Sequence, residues 1–282
     1  MIFLLISIVC NTLLFIILKY FERVKIDTLQ GIVANYFTAA ALGFAFNRSG
    51  TGIQDAAGSD WLHIALILGF LFIGIFMLLA HTAQTAGISV ASVANKMSVV
   101  IPVICAFLFF HDSVTWIKIA GIVLALAAVY LTSGKSGAAD SRAFLLPFVV
   151  FLGSGAIDAL VNFSQQKYLS EAEGPLFVAV CFSIAGLIGT MIILLRWRAV
   201  RLRNILGGIV LGIPNYFSIY TIIRALDSGV FESSVIYPLV NVGVVLLSAL
   251  SGLLLFGEKF TLMNKLGILI AVMAIALIAS AG

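Results

Sequence analysis

The chain alternates between long apolar runs and short polar segments along its whole length. Each run has about the 20 apolar residues that a helix needs to cross a bilayer, and the connections carry most of the charged and turn-forming residues. This pattern predicts an all-α integral membrane protein with ten transmembrane helices. The predicted spans are 2–19, 28–46, 61–81, 88–110, 115–131, 144–165, 175–195, 204–226, 232–256 and 261–280.

Composition strengthens this prediction and excludes several classes of protein. Hydrophobic residues make up 62% of the 282 residues, charged residues make up 10%, and the mean hydropathy is +1.18. A soluble domain has about 25% charged residues, and little of this chain remains outside the spans for a catalytic or nucleic-acid-binding domain. The three cysteines show neither disulfide nor metal-ligand spacing. We expect no metal, no cofactor and no nucleic-acid partner.

The loops carry an asymmetric distribution of positive charge. The odd-numbered loops hold eleven Lys and Arg residues and the even-numbered loops hold four, with the densest cluster at 196–203. Because short basic loops stay in the cytoplasm, this count predicts that both termini face outward from a plasma (bacterial inner) membrane. Trp61, Trp116 and Trp197 fall at span ends, which is typical of an aromatic belt.

The two halves of the chain resemble each other. Residues 110–121 match 256–267 at a shift of 146 positions, and residues 83–93 match 225–235 at a shift of 142. Each half has five spans, an odd number, so the second half enters the membrane from the opposite side. We therefore predict two inverted five-helix repeats at 1–131 and 143–282, joined by a linker at 132–142. Inverted repeats are typical of secondary transporters, whose halves exchange conformations around a central site.

The segments FLFFHDSVTWIKIAGIVLALAAVYLTS (107–133) and LLLFGEKFTLMNKLGILIAVMAIALIAS (253–280) resemble the end of an EamA-type unit of the drug/metabolite transporter superfamily. The shared features are an acidic residue between the fourth and fifth spans, then Thr, then a glycine early in an apolar helix. The resemblance implies a ten-helix carrier of small metabolites, often coupled to protons. It also implies that both termini are cytoplasmic, opposite to the orientation that loop charge predicts.

Lys96 is the one Asp, Glu, Lys or Arg residue between Trp61 and His111. A charge at membrane depth is costly and usually functional. Lys96 either extends its ammonium to the headgroups or faces a central cavity, where it binds an anionic group of a substrate. Asn95, and Asn241 at the 146-residue shift, are candidate substrate-binding residues beside it, or helix-packing residues.

Asp158 is the carboxylate nearest the middle of a span. It is a candidate for substrate binding and proton coupling, or for a structural ion pair with Lys96. Asn162 lies one helical turn further on and is expected to share its face. Asn11 occupies the corresponding position in the first span and completes this set of candidate polar residues.

Three prolines fall inside predicted spans, at Pro102, Pro214 and Pro238. A proline removes a backbone donor and bends a helix, so these residues are candidates for shaping a cavity. Tyr237, directly before Pro238, is a candidate cavity-lining residue or an interface anchor. Asp112 and Glu258 each precede a predicted helix, and we interpret them as helix-capping carboxylates.

These features favour a non-enzymatic secondary transporter that moves a small metabolite by alternating access. The expected partners are the lipid bilayer and a metabolite that carries a carboxylate or phosphate, and the carrier is a monomer or a homodimer. A membrane-embedded enzyme or a flippase acting on a lipid-linked substrate is the alternative. The absence of a P-loop argues against ATP-driven transport within this chain.

Overall fold

A computed structural model of the protein describes residues 2–46, 56, 58–109, 115–133, 141–169, 173–197, 199–227 and 233–280. Within these ranges the regular secondary structure is helical and contains no strand. The predicted all-α membrane architecture is therefore confirmed for this part of the chain. The helices are α1 (Ile2–Arg23), α2 (Thr28–Phe46), α3 (Leu62–Thr85), α4 (Ile88–Met97), α5 (Val100–Phe109), α6 (Trp116–Ser133), α7 (Ser141–Lys167), α8 (Gly174–Leu195), α9 (Leu202–Asp227), α10 (Ser233–Phe256) and α11 (Leu262–Ser280).

The helices agree closely with the predicted spans. Among the described residues, nine stretches are long and apolar enough to cross a membrane, and the fifth predicted span, 115–131, corresponds to a shorter apolar stretch, Ile119–Ser133. The fourth predicted span differs from the prediction because it is divided into α4 and α5. The chain is a multi-pass membrane protein.

The chain forms two compact units, and the first consists of Met1–Lys19, Leu78–Ala156 and Phe217–Gly282. In this unit α6 packs along α11, and both helices contact α4. Its core is made of apolar residues, most of which are small or branched. The fully buried members are Val93, Met97, Val100, Ala125, Ala128, Val129, Phe151, Val245, Ala271, Ala274 and Ile275.

The contact between α6 and α11 is reciprocal. A Cβ atom on Gly121 would lie 2.6 Å from Ile278, and a Cβ atom on Gly267 would lie 2.7 Å from Thr132. Gly121 and Gly267 are 146 positions apart, and so are Thr132 and Ile278. Each helix therefore contributes a glycine and a larger residue at equivalent positions, and each glycine packs against the larger residue of the other helix. A two-fold relation requires this arrangement.

The second unit consists of Tyr20–Met77 and Ile157–Tyr216. Here α2 packs along α8, and the contact is again reciprocal. A Cβ atom on Gly43 would lie 3.0 Å from Ala179, and one on Gly189 would lie 2.3 Å from Val33. Both members of this contact are also related by a shift of 146 positions.

The three tryptophans differ in exposure, and they do not all occupy positions of an aromatic belt. Trp116 and Trp197 are 85% and 95% exposed, as interface anchors should be, whereas Trp61 is 1% exposed. Trp61 packs edge-on against Phe177 in the core of the second unit, and its indole N–H lies 3.4 Å from a carboxylate oxygen of Glu173. The prediction of a belt position was wrong for Trp61, because its polar edge finds a partner inside the protein.

Two basic loops of the second unit, 24–27 and 196–201, are joined through Gln30. The amide of Gln30 donates to the carbonyl of Ala199 at 3.1 Å and accepts from the backbone N–H of Arg201 and the side chain of Asn204. Asn204 in turn accepts from the backbone N–H of Asp27 at 3.2 Å. These two odd-numbered loops therefore lie on the same side of the second unit.

Candidate substrate site

The break between α4 and α5 interrupts the backbone hydrogen bonds of the fourth predicted span at Ser98, which is buried. Pro102 has no N–H to donate to the carbonyl of Ser98, four residues earlier. That carbonyl instead accepts from the backbone N–H of Ile101 at 2.9 Å, in a tighter turn. The hydroxyl of Ser98 donates to the carbonyl of Asn95 at 2.5 Å and replaces one bond lost at the end of α4.

Lys96 lies in the last turn of α4, directly before this break. Eight residues separate it from Ile88, which places it roughly 12 Å along the helix. Its ammonium donates to the side-chain oxygen of Asn11 at 3.2 Å. The C-terminus of a helix carries partial negative charge, so this end of α4 stabilises the ammonium.

Asn11 connects Lys96 to a chain of buried polar groups within the first unit. Asn11 is 9% exposed, and its amide donates to the carbonyl of Ser7 at 3.0 Å. The hydroxyl of Ser7 donates to the carbonyl of Ser218 at 3.1 Å. The structure thus brings Lys96 and Asn11, two of the sequence-predicted residues, into direct contact. This contact favours an ammonium directed to the protein interior over one that reaches the headgroups.

Asn95 faces a different neighbour. Its amide donates to the hydroxyl of Ser154 on α7 at 3.0 Å, and Asn95 is half-buried. This bond holds the end of α4 against α7 within the first unit.

Truncating either partner of this bond should reveal its contribution. We expect Asn95→Ala and Ser154→Ala each to lower the free energy of unfolding by about 1 kcal/mol, the usual net value for a neutral hydrogen bond. The double variant should lose less than the sum of the two single losses, because one bond is removed in all three proteins. Chemical unfolding in detergent measures this, and additive losses would show that the two residues do not interact.

Glu258 holds the other end of α4. One carboxylate oxygen accepts from the backbone N–H of Ile88 at 2.7 Å, and the other accepts from the hydroxyl of Ser89 at 3.0 Å. Two glycines make room for this carboxylate. A Cβ atom on Gly87 would lie 2.9 Å from it and one on Gly252 would lie 2.4 Å from it. We call this arrangement the Glu258 clasp.

The clasp corrects one detail of the sequence interpretation. Glu258 caps α4, which is 170 residues away in the chain, and not α11, which follows it. α11 is capped by Thr261, whose hydroxyl accepts from the backbone N–H of Asn264 at 3.1 Å. Asp112, the other predicted cap, lies outside the described residues.

The remaining predicted polar residues have these positions. Asn241 is half-buried on α10, and Tyr237 on the same helix is 49% exposed. Asp158 and Asn162 are both exposed on α7, in the segment that belongs to the second unit, which agrees with a shared face. The side chain of Asn162 accepts from Gln166 at 2.7 Å. The proposed ion pair between Asp158 and Lys96 stays a prediction.

The prolines differ in their local effect. One helix ends at Met97 and the next begins at Val100, two residues before Pro102. Pro214 and Pro238 lie inside the continuous helices α9 and α10. Pro147 also lies inside a helix, α7, and the sequence interpretation did not select it.

Sequence interpretation also missed Ser7 and Ser154, which bond to the selected asparagines. Each lies one helical turn before a selected residue, Asn11 and Asp158 respectively, and the two serines are 147 positions apart. This recurrence was a usable signal. Among the described residues, no group of three His, Cys, Asp or Glu side chains is arranged to hold a metal ion.

Comparisons with known proteins give the following similarities. Residues 1–134 match the model of the EamA-like transporter family. An uncharacterized protein of Haemophilus influenzae is 30% identical over 278 residues, which cover 95% of this chain and 94% of that protein. A solved structure described only as a crystal structure of protein superposes with a TM-score of 0.61 at 13% identity, over 96% of this chain and 95% of that chain. The last likeness shows the fold alone.

Proposed function

Because the chain belongs to the EamA-like transporter family of the drug/metabolite transporter superfamily, we propose that it is a secondary carrier that moves a small anionic metabolite by alternating access. The substrate would bind near the middle of the membrane, where Lys96 and Asn11 supply a positive charge and an amide. The orientation of the termini is set by the loop charges in this proposal, with the odd-numbered loops in the cytoplasm.

The observation that carries the proposal is the position of Lys96 beside the break in its helix. The half-buried ammonium of Lys96 donates to the side-chain oxygen of Asn11. An ammonium is a compact positive charge with three donors. Carboxylate and phosphate oxygens form the strongest bonds with such a group. Broken helices at mid-membrane are the usual binding elements of secondary carriers.

Alternating access is supported by the reciprocal helix contacts. Equivalent helices of the two predicted repeats, α6 with α11 and α2 with α8, pack through equivalent positions. A two-fold relation of this kind lets one repeat adopt the conformation of the other with little change in these contacts. The predicted repeats at 1–131 and 143–282 are therefore part of the proposal.

Transport itself is tested with purified protein in liposomes. Vesicles loaded with unlabelled mono- and dicarboxylates or phosphorylated metabolites are mixed with the same labelled compound, and exchange is followed over time. We expect saturable exchange for one class of anion and none in protein-free vesicles. Chemical conversion of a lipid or lipid-linked compound by the protein in detergent, without vesicles, would overturn the carrier proposal.

Proton coupling through Asp158 is a separate part of the proposal. A carboxylate at the centre of a span costs about 2.5–3.5 kcal/mol against lipid, so an exposed Asp158 suits a water-filled path. We expect Asp158→Asn to lose uptake driven by a pH gradient while retaining exchange at equal pH. Asn162→Ala, one turn away on the same face, is the control and should keep the pH response. Unchanged gradient-driven uptake in Asp158→Asn would remove this role.

The described contacts of the basic loop 196–203 favour transport over lipid chemistry. Its backbone bonds to the amide of Gln30 and to the neighbouring Asn204, among other groups. Arg203 donates to the backbone carbonyl of Lys25. These bonds join two loops, and none of them pairs a nucleophile with a base.

A further inference from the structure

A cavity of about 640 Å³ lies inside the first unit, apart from Lys96. It is formed where α1 and α3 end, where α6 ends, and where α7 and α11 begin, so it lies at the ends that carry the odd-numbered loops. A volume of this size suits a small metabolite. The charged or titratable side chains that line it are Lys19, His81, Glu258 and Lys259.

The hydrogen-bond donors that remain available to a ligand in this cavity are mainly positively charged. Both oxygens of Glu258 already accept bonds from Ile88 and Ser89. Among the polar neutral residues, the hydroxyls of Thr132 and Ser133 donate to carbonyls of their own helix. The two ammonium groups, with His81, are left to bind a ligand.

Lys19 is held in place for such a role. Its ammonium donates to the carbonyl of Gln84 at 2.6 Å, and the amide of Gln84 donates back to the carbonyl of Leu18 at 2.9 Å. This pair of bonds fixes the half-buried lysine at the end of α1 and uses one of its three donors. Lys259 is exposed and also lines the cavity.

The cavity shares two helices with the Lys96 site. α1 carries both Lys19 and Asn11, about 12 Å apart along the helix axis. α4 carries both Ser89, which lines the cavity, and Lys96, about 10 Å apart. An anion held by Lys19 and Lys259 is thus about 10–12 Å, measured along these helices, from the level of Lys96.

We propose that this cavity is an outer binding site, outer in the sense that it lies nearer than Lys96 to the odd-numbered loops, in which Lys19 and Lys259 capture the carboxylate or phosphate group of the substrate before it reaches Lys96. The inference rests on the proposed function and adds a second binding site, which the substrate occupies before it reaches Lys96. Fixed positive charges at the mouth of a low-dielectric cavity raise the local concentration of anions, and salt weakens the effect.

Chemical protection tests the site without any substitution. Purified wild-type protein is acetylated for a short time in inorganic phosphate, in citrate, or in sodium chloride of equal ionic strength, and each lysine is quantified by mass spectrometry. We expect phosphate or citrate to slow the modification of Lys259 at least threefold. Lys265, which is exposed on α11 outside the cavity, is the internal control and should not change. Equal modification of Lys259 in all three salts would overturn the proposal.

Variants separate the outer site from the central one. Lys19→Gln retains a donor for the carbonyl of Gln84, and it is combined with Lys259→Gln. With whichever anion exchanges in liposomes, we expect the double variant to raise KM about tenfold, with the maximal rate within twofold of wild type and a weaker response of KM to salt. Lys265→Gln should match wild type. An unchanged KM would overturn the outer site while leaving the carrier intact, whereas loss of exchange in the wild type itself would reject the proposed function.

Discussion

Replacing Lys96 with methionine should reduce anion exchange at least tenfold while leaving the protein folded. Methionine keeps the length of the apolar stem and removes the charge. A hydrogen bond to a charged group contributes about 1.5–3 kcal/mol, which corresponds to roughly 10- to 100-fold in binding. The free energy of unfolding should change by less than about 1 kcal/mol, because the lost bond to Asn11 is offset by the relief of a half-buried charge.

The measurement pairs anion exchange in liposomes with the ligand-induced shift in thermal unfolding. Lys265→Met is the matched control, since Lys265 is exposed at the start of α11, and it should retain both responses. Lys96→Arg keeps the charge in a larger group and should retain part of the binding. If Lys96→Met binds and exchanges the anion as wild type does, Lys96 is a packing residue and the central site lies elsewhere.

Gly252→Ala should destabilise the protein by about 2–4 kcal/mol, because it breaks the Glu258 clasp. The new methyl group would lie 2.4 Å from the Glu258 carboxylate and 3.1 Å from the hydroxyl of Ser89. The carboxylate must then move away from Ile88 and Ser89, and two charge-assisted bonds, each contributing about 1.5–3 kcal/mol, weaken together. Thermal unfolding in detergent should show a midpoint several degrees lower.

Gly74→Ala is a control of the opposite sign. Gly74 also lies inside a spanning helix, and a Cβ atom there meets nothing within 4 Å. Alanine is a better helix former than glycine, so this change should stabilise the protein by up to about 1 kcal/mol. Glu258→Ala removes the obstructing carboxylate, and adding Gly252→Ala to it should cost little further. An equal cost of Gly252→Ala in both backgrounds would show that the clasp is not the cause.

Hydropathy was sufficient to predict the helices because a membrane leaves few alternatives. Every backbone donor in a lipid-exposed span must bond within its own helix, so a run of about 20 apolar residues has one solution. The division of the fourth span was the main exception. Pro102 marked a bend there, but the turn at Ser98 depends on side-chain and backbone bonds that hydropathy does not measure.

The partners of the selected polar residues were harder to predict than the residues themselves. Lys96 stood out by its charge alone, yet its ammonium bonds to Asn11, which lies 85 positions earlier in the chain. Glu258 looked like the cap of the next helix because helix caps are normally local. Its role as the cap of α4 needs Gly87 and Gly252, which are far apart in the chain. The space that these two glycines leave for the carboxylate cannot be recognised from the composition.

The reciprocal packing of α6 and α11 has a mechanical consequence for the proposed cycle. Suppose that the two repeats trade conformations when the carrier turns from one side of the membrane to the other. The contact of Gly121 with Ile278 then takes over the geometry of Gly267 with Thr132, and the reverse, so the set of distances across the pair is conserved. The α6–α11 pair can therefore stay fixed during the proposed cycle. The division of the fourth span at Ser98 is then the place where this helix changes its bend.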